Sequence, residues 1–200
     1  MAPSESSIGH TPQPGTHSMT TSTSDFAPPT RLRPAPIAAA AAFVVGLSAI
    51  LGAWGFQIIG GYIPCALCYE ERIPYYVGLP IIALALGLAA GGRETAFRWL
   101  MAAAGIVFLV GVGLGVRHAG VEWGFFPAPA DCGGGVGATT NAADLLGAMS
   151  RAKIVPCSEA AGRFLGISFA GWNAVACLMV TALAFLAVAW SRRPADASIR

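Results

Sequence analysis

The chain alternates between long stretches without any charged residue and short stretches where charges gather. Charges are missing between Arg33 and Glu70, from Ile73 to Gly92, from Trp99 to Val116 and from Phe164 to Ser191. A helix that crosses a bilayer needs about 20 predominantly apolar residues. Each stretch has room for one such helix, so the pattern predicts four spans at roughly Ile37–Ile58, Tyr75–Ala90, Arg98–Val116 and Ser168–Trp190.

The composition supports a membrane protein over a soluble one. Hydrophobic residues make up 55% of the chain and charged residues only 11%, which is too apolar for an ordinary soluble domain. Buried helices of a soluble protein would need amphipathic elements to cover them, and the sequence does not supply these. The net charge of +2, without a basic stripe, argues against nucleic acid as a partner.

The chain divides into three parts by composition. Residues 1–33 are rich in Ser, Thr and Pro and are predicted to be a disordered tail. Residues 34–193 form the predicted membrane domain, and residues 194–200 a C-terminal tail. The apolar run after Arg33 is too long for the core of a signal peptide, so it is interpreted as an uncleaved first span.

Four spans bring four of the five cysteines to one side of the membrane. Cys65 and Cys68 follow the first span, and Cys132 and Cys157 lie in the loop after the third, at about residues 117–167. An even number of spans puts these two loops on the same side, opposite both termini. Cys177 falls inside the fourth span, where a buried inert thiol is expected.

Arginine positions indicate which side this is. The short flanks that lie with the termini are dense in arginine, at Arg31, Arg33, Arg93, Arg98, Arg192 and Arg193. Such flanks are typically cytoplasmic, which places the cysteines in the periplasm, where disulfides persist. The predicted fold class is therefore all-α, a four-helix transmembrane bundle in the lipid bilayer with two cysteine-bearing periplasmic loops.

The long third loop contains two further features. Trp123, Phe125 and Phe126 stand where an interfacial aromatic belt is expected. The stretch from Asn141 to Met149 predicts a short helix that lies on the membrane surface.

The cysteine spacing favours redox chemistry. A disulfide between Cys65 and Cys68 closes a very small ring, so stability is a poor reason for it. A bridge between Cys132 and Cys157 would contribute roughly 3.5 kcal/mol through chain entropy and could be purely structural. A CxxC beside a second pair nevertheless favours exchange through a mixed disulfide.

The residues near the CxxC allow two interpretations. Arg72 is four residues after Cys68, and in a helix a cation at that distance would make the thiol a better nucleophile. Arg72 as an interfacial anchor is an equally good interpretation, and the neighbouring Glu70 and Glu71 would oppose activation.

Metal binding is the competing chemistry. A CxxC is a common zinc half-site, which Cys132, Cys157 and His118 could complete. The second cysteine pair lacks the tight spacing of a second zinc knuckle, and a histidine at a membrane edge is more often interfacial than a ligand. The sequence therefore ranks a metal-binding or transport protein below a redox enzyme.

Three stretches resemble the disulfide bond formation protein B (DsbB) family, the quinone-dependent thiol oxidases of bacterial inner membranes. They are "WGFQIIGGYIPCALCYEER", "RHAGVEWGFFPAPADC" and "VPCSEAAGRFLGISFAGWN". The resemblance implies a quinone cofactor, expected to be ubiquinone, and a periplasmic thioredoxin-fold thiol oxidase of the DsbA type as partner. Enzymes of the vitamin K epoxide reductase type also combine four helices, a CxxC and a quinone, but their active CxxC follows the loop cysteines.

The resemblance also implies roles for individual residues. Cys132 would be attacked by the reduced partner, with Cys157 as its loop mate. Cys65 would exchange with the loop pair, while Cys68 would face the quinone. Residues expected near the quinone are Arg72, Glu71 and His118, and Gln57 matches a polar position at the end of the first span.

Overall fold

The computed structural model describes residues 34–129, 153–154 and 156–192. The predicted tails, Cys132 and the predicted surface helix after Asn141 lie outside the described residues. Within these ranges the elements are α1 (Pro34–Ile58), β1 (Tyr62–Ile63), α2 (Ala66–Glu70), α3 (Ile73–Ala90), α4 (Glu94–Glu122), β2 (Lys153–Ile154), β3 (Arg163–Phe164), β4 (Ile167–Ser168) and α5 (Phe169–Ser191).

Four helical segments of the described chain are long and apolar enough to cross a membrane, namely Pro34–Ile58, Ala66–Ala90, Glu94–Glu122 and Phe169–Ser191. Apolar side chains also cover the outer surface of the bundle: Leu51, Leu84, Leu109 and Leu178 are each more than half exposed. Helices that are apolar on all faces are typical of a lipid environment. The predicted all-α four-helix transmembrane bundle is confirmed.

Small residues let the helices approach closely, as is common in membrane bundles. Gly78 of α3 faces the ring of Phe108 on α4, and a side chain at Gly78 would collide with that ring. Phe108 is fully buried and makes an edge-on contact with Tyr75, with ring centroids 5.3 Å apart. This contact packs the beginning of α3 against the middle of α4.

Two small pairs of strands organise the loops at one end of the bundle, which we call the cysteine end (Tyr62–Arg72 and the facing residues 153–154 and 156–168). Strand β1 pairs in parallel with β2, with Tyr62 opposite Lys153. Strands β3 and β4 form a hairpin whose turn residues Leu165 and Gly166 both have positive φ, as a two-residue type I′ turn requires. The segments that carry Cys65 and Cys157 are thereby brought to the same end.

Helix boundaries differ from the predicted spans at this end. The third span was expected to stop at Val116, but α4 continues to Glu122, so the predicted loop of residues 117–167 begins too early. Arg117 and His118 are consequently helical. The first charged side chain past the predicted end, Arg117, pairs with Glu70 at 3.2 Å, which accommodates its charge while the helix continues.

Candidate active site

The dithiol is held at the start of α2. Cys65 caps this short helix, and its Sγ accepts a hydrogen bond from the backbone N–H of Cys68 at 3.3 Å. The two sulfur atoms lie 2.8 Å apart as free thiols. Because the cap fixes the backbone, closing this pair into a disulfide, whose S–S bond is about 2.05 Å long, needs only a small movement.

His118 and Glu71 form a buried polar row that ends at Cys65. His118 of α4 places Nε2 3.8 Å from the Cys65 sulfur, while its Nδ1 lies 3.0 Å from Glu71 Oε1. Both side chains are less than a tenth exposed. A carboxylate on one ring nitrogen fixes the orientation of the imidazole, so the other nitrogen is held toward the thiol. The interpretation of His118 as an interfacial residue is wrong.

These contacts favour the thiolate of Cys65. Its hydrogen bond with Cys68 holds the pKa of the Cys65 thiol well below its usual range; the hydrogen bond from His118 lowers this pKa further, while burial opposes both. A thiolate is the reactive form in disulfide exchange. The geometry therefore favours Cys65 over Cys68 as the thiolate of the pair.

Arg72 is buried rather than anchored at the membrane surface. It is only 8% exposed, and its Nη1 donates to Gln57 Oε1 at 2.5 Å. Its guanidinium also lies over the ring of Tyr69, 5.3 Å from the centroid, a cation–π arrangement. The interfacial-anchor interpretation is therefore wrong, and the neutral Gln57 leaves the arginine charge available to a ligand.

A cavity of about 410 Å³ opens beside the dithiol. Its walls are mostly apolar, with Ile50, Phe56 and Phe169 among them, and Arg72 and Asn173 are among its polar groups. Other lining residues that the sequence singled out are Cys65, Cys68, Glu71, His118 and Gln57. An apolar cavity with a few polar groups is the usual form of a small-molecule site. A quinone head group, a flat ring with carbonyl acceptors, fits such walls and such donors.

Cys157 lies against the dithiol. It is fully buried and packs with Cys65, Leu67 and Val121 in one small apolar cluster. Cys157 is disulfide-bonded, and Cys132, its predicted mate, lies outside the described residues. The structure thus brings Cys157, which belongs to a disulfide, and the free thiols of Cys65 and Cys68 together at the cysteine end.

Sequence reasoning missed a chain of hydrogen bonds that begins at the cavity wall. Tyr75 donates to Asn173 Oδ1 at 2.7 Å and accepts a hydrogen bond from Cys177 at 3.3 Å. Asn173 was a visible signal, because a polar side chain in a charge-free span is costly and commonly functional. Cys177 is fully buried, as expected.

The metal alternative has a geometric basis as well. The donor atoms of Cys65, Cys68 and His118 all lie within 4.8 Å of one another. Structural zinc sites almost always have four protein ligands, and this group supplies three among the described residues. The hydrogen bond from His118 to Glu71 would also orient this histidine as a metal ligand.

A cysteine pair beside an apolar cavity, within a four-helix membrane bundle, defines a membrane protein of thiol–disulfide chemistry. The chain belongs to the family described as disulfide bond formation protein DsbB, whose model matches residues 35–187. It is therefore a membrane oxidoreductase of disulfide bond formation.

One relative supports the same assignment. The chain is similar to "Disulfide bond formation protein B" of Hahella chejuensis (strain KCTC 2396), with 32% identity over 158 residues, 73% of this chain and 90% of that protein. No solved structure shows a significant match to the chain.

Proposed function

We propose that the protein oxidises the dithiol of a periplasmic thioredoxin-fold oxidase of the DsbA type and passes the electrons to a membrane quinone. The observation that carries this proposal is the position of Cys65 and Cys68, whose free thiols line an apolar cavity together with Arg72. Family membership supports the thiol chemistry. The cavity supports an acceptor that is apolar, planar and able to accept hydrogen bonds.

Electrons enter through the loop cysteines. The partner's thiolate attacks Cys132 of the Cys132–Cys157 disulfide, and its second thiol then resolves the mixed disulfide, leaving the partner oxidised and the loop pair reduced. The loop pair next attacks Cys65 of the Cys65–Cys68 disulfide and reduces it. Cys157 packs in the same cluster as Cys65, which supports exchange between the two pairs.

Electrons leave through the CxxC. A bound quinone would supply a two-electron acceptor. One dithiol and one quinone would give one disulfide and one quinol, and the quinol would take up two protons, one from Cys68 and the one that Cys65 gives up on forming its thiolate. The Cys65 thiolate stands 2.8 Å from the Cys68 sulfur and re-forms the disulfide as Cys68 gives up the electrons. His118, oriented by Glu71, stabilises that thiolate, and Arg72 binds the acceptor.

The enzyme is proposed to lie in the bacterial inner membrane with both termini cytoplasmic and both cysteine loops periplasmic. The support is the arginine density at the short flanks. After reduction, a membrane-impermeant thiol reagent should label Cys132 from the periplasmic side of oriented vesicles. Labelling from the cytoplasmic side alone would overturn this orientation.

Turnover with a defined partner tests the function. The purified protein in lipid nanodiscs receives a reduced thioredoxin-fold oxidase and a benzoquinone with a decyl tail, and quinone absorbance is followed. We expect quinone-dependent oxidation of the partner and its loss in Cys65→Ser and Cys68→Ser. Full quinone reduction in Cys68→Ser would contradict the proposal. Mass spectrometry of quinone co-purified with the protein tests the expected ubiquinone against menaquinone.

Binding of zinc by Cys65, Cys68 and His118 is the second candidate function, favoured by the proximity of their donor atoms. Metal analysis of protein purified with and without reductant separates the candidates. The redox proposal predicts no stoichiometric metal and two disulfides that reductant opens. One bound zinc per chain that survives dialysis, together with no quinone reduction, would favour the metal site.

A further inference from the structure

The cavity is lined by an amide whose nitrogen has no hydrogen-bond partner in the described part of the chain. Asn173 of α5 lines the cavity, and its Oδ1 accepts a hydrogen bond from the Tyr75 hydroxyl. Its Nδ2 is buried and has no hydrogen-bond partner within the described part of the chain. Burying an amide donor without a partner is costly, and buried polar atoms are rarely left so. The amide is therefore placed to donate to a ligand.

Neighbouring side chains fix the orientation of this amide. Cys177 donates its S–H to the Tyr75 oxygen at 3.3 Å, and Tyr75 donates its O–H to Asn173 at 2.7 Å. In the reverse orientation Asn173 would offer Tyr75 only N–H groups, and the hydroxyl hydrogen would have only the weakly accepting sulfur. The hydrogen-bond chain therefore leaves both N–H groups of Nδ2 without an acceptor in the described part of the chain.

Asn173 and Arg72 line the same cavity. Tyr75, which holds Asn173, comes three residues after Arg72 along the start of α3. Residues three apart in a helix share a face, and they are separated by nearly one turn, about 4.5 Å of rise. N–H donors from two residues of one cavity suit a flat ring that carries acceptor oxygens at opposite ends.

We propose that Asn173 is a specificity-determining residue that donates a hydrogen bond from Nδ2 to a ring carbonyl of the bound quinone, and that Tyr75 is its positioning residue. This inference rests on the proposed quinone function and extends it from Arg72 to a second donor of the cavity. It selects ligands with two carbonyl acceptors on one ring over apolar molecules of equal size.

The test is binding to fully oxidised protein, which cannot transfer electrons and so separates binding from activity. A benzoquinone with a decyl tail is titrated by equilibrium dialysis in detergent. Loss of one neutral hydrogen bond corresponds to roughly a two- to tenfold weaker Kd, which we expect for Asn173→Leu. Tyr75→Phe keeps the aromatic packing and should weaken binding less. Thr181→Val is the matched control: Thr181 on the same helix also has a buried hydroxyl without a partner among the described residues, but it does not line the cavity.

A spectroscopic readout distinguishes hydrogen bonding from packing. In infrared difference spectra of the bound quinone, one carbonyl band should move to higher frequency in Asn173→Leu and in Tyr75→Phe, and stay in place in Thr181→Val. Normal quinone binding by the wild type, with Kd and carbonyl bands unchanged in both variants, would overturn this inference alone. Absence of quinone binding in the wild type would overturn the proposed function as well. Tyr75→Phe remains decisive where Asn173→Leu fails to fold.

Discussion

Replacing Arg72 by lysine tests whether this buried charge serves the ligand. Arg72 uses Nη1 for Gln57, and the planar fork leaves its other N–H groups for the cavity it lines. Lysine has a single ammonium that cannot reproduce this fork. Losing one hydrogen bond to a charged group costs about 1.5–3 kcal/mol, which corresponds to roughly ten- to a hundredfold in apparent quinone affinity. We expect Arg72→Lys near the lower figure and Arg72→Ala near the upper one.

The assay measures turnover against quinone concentration, together with single-turnover exchange between the protein and its reduced partner. Exchange should continue in both variants because that step needs no quinone. Arg117→Lys is the matched control, since Arg117 lies at the same end of the bundle but is about half exposed, and exposed ion pairs contribute little. A quinone dependence equal to wild type in both Arg72→Lys and Arg72→Ala would refute the role of Arg72 as a quinone ligand.

Three further predictions test other parts of the account. The lowered pKa of Cys65 means that its thiolate persists as pH falls below the usual thiol range. The rate of alkylation of Cys65 in the reduced protein should therefore change little between about pH 8 and about pH 6. The alkylation rate of an ordinary thiol would fall by about tenfold per pH unit, and such a fall at Cys65 would contradict the assignment. Gly78→Ala should lower the melting temperature in detergent, because the new Cβ would collide with the fully buried ring of Phe108 at a cost of roughly 1–3 kcal/mol in stability. Gly87→Ala is the control, since a Cβ there meets no other atom and the melting temperature should not fall. Equal effects of the two substitutions would refute the close-packing argument. Cys132→Ser should abolish oxidation of the partner and leave quinone reduction by chemically reduced Cys65–Cys68 intact; partner oxidation at the wild-type rate would refute the order of transfer.

The architecture was predictable because charge is so costly in lipid that gaps between charges mark the spans. The same reasoning misplaced the end of α4, because it treated Arg117 as the boundary. Glu70 neutralises that arginine from another helix, and such pairing between distant positions is invisible to a scan along the chain.

The candidate site was predictable only in part. The CxxC spacing identified the dithiol, and the resemblance grouped Arg72 and His118 with it. The contact between His118 and Cys65 joins residues 53 positions apart, and the bond between Tyr75 and Asn173 joins residues 98 apart. Both depend on how the helices pack, which local patterns do not encode.

The central claim is that the Cys65–Cys68 pair delivers electrons to a quinone, and a single-turnover experiment tests it most directly. Reduced protein, with Cys132 and Cys157 replaced by serine, is mixed anaerobically with a benzoquinone carrying a decyl tail. Quinol is measured by absorbance and the cysteine state by peptide mass spectrometry. We predict one quinol for each Cys65–Cys68 disulfide formed. Quinone left unreduced, or quinol formed while both thiols stay free, would contradict the account.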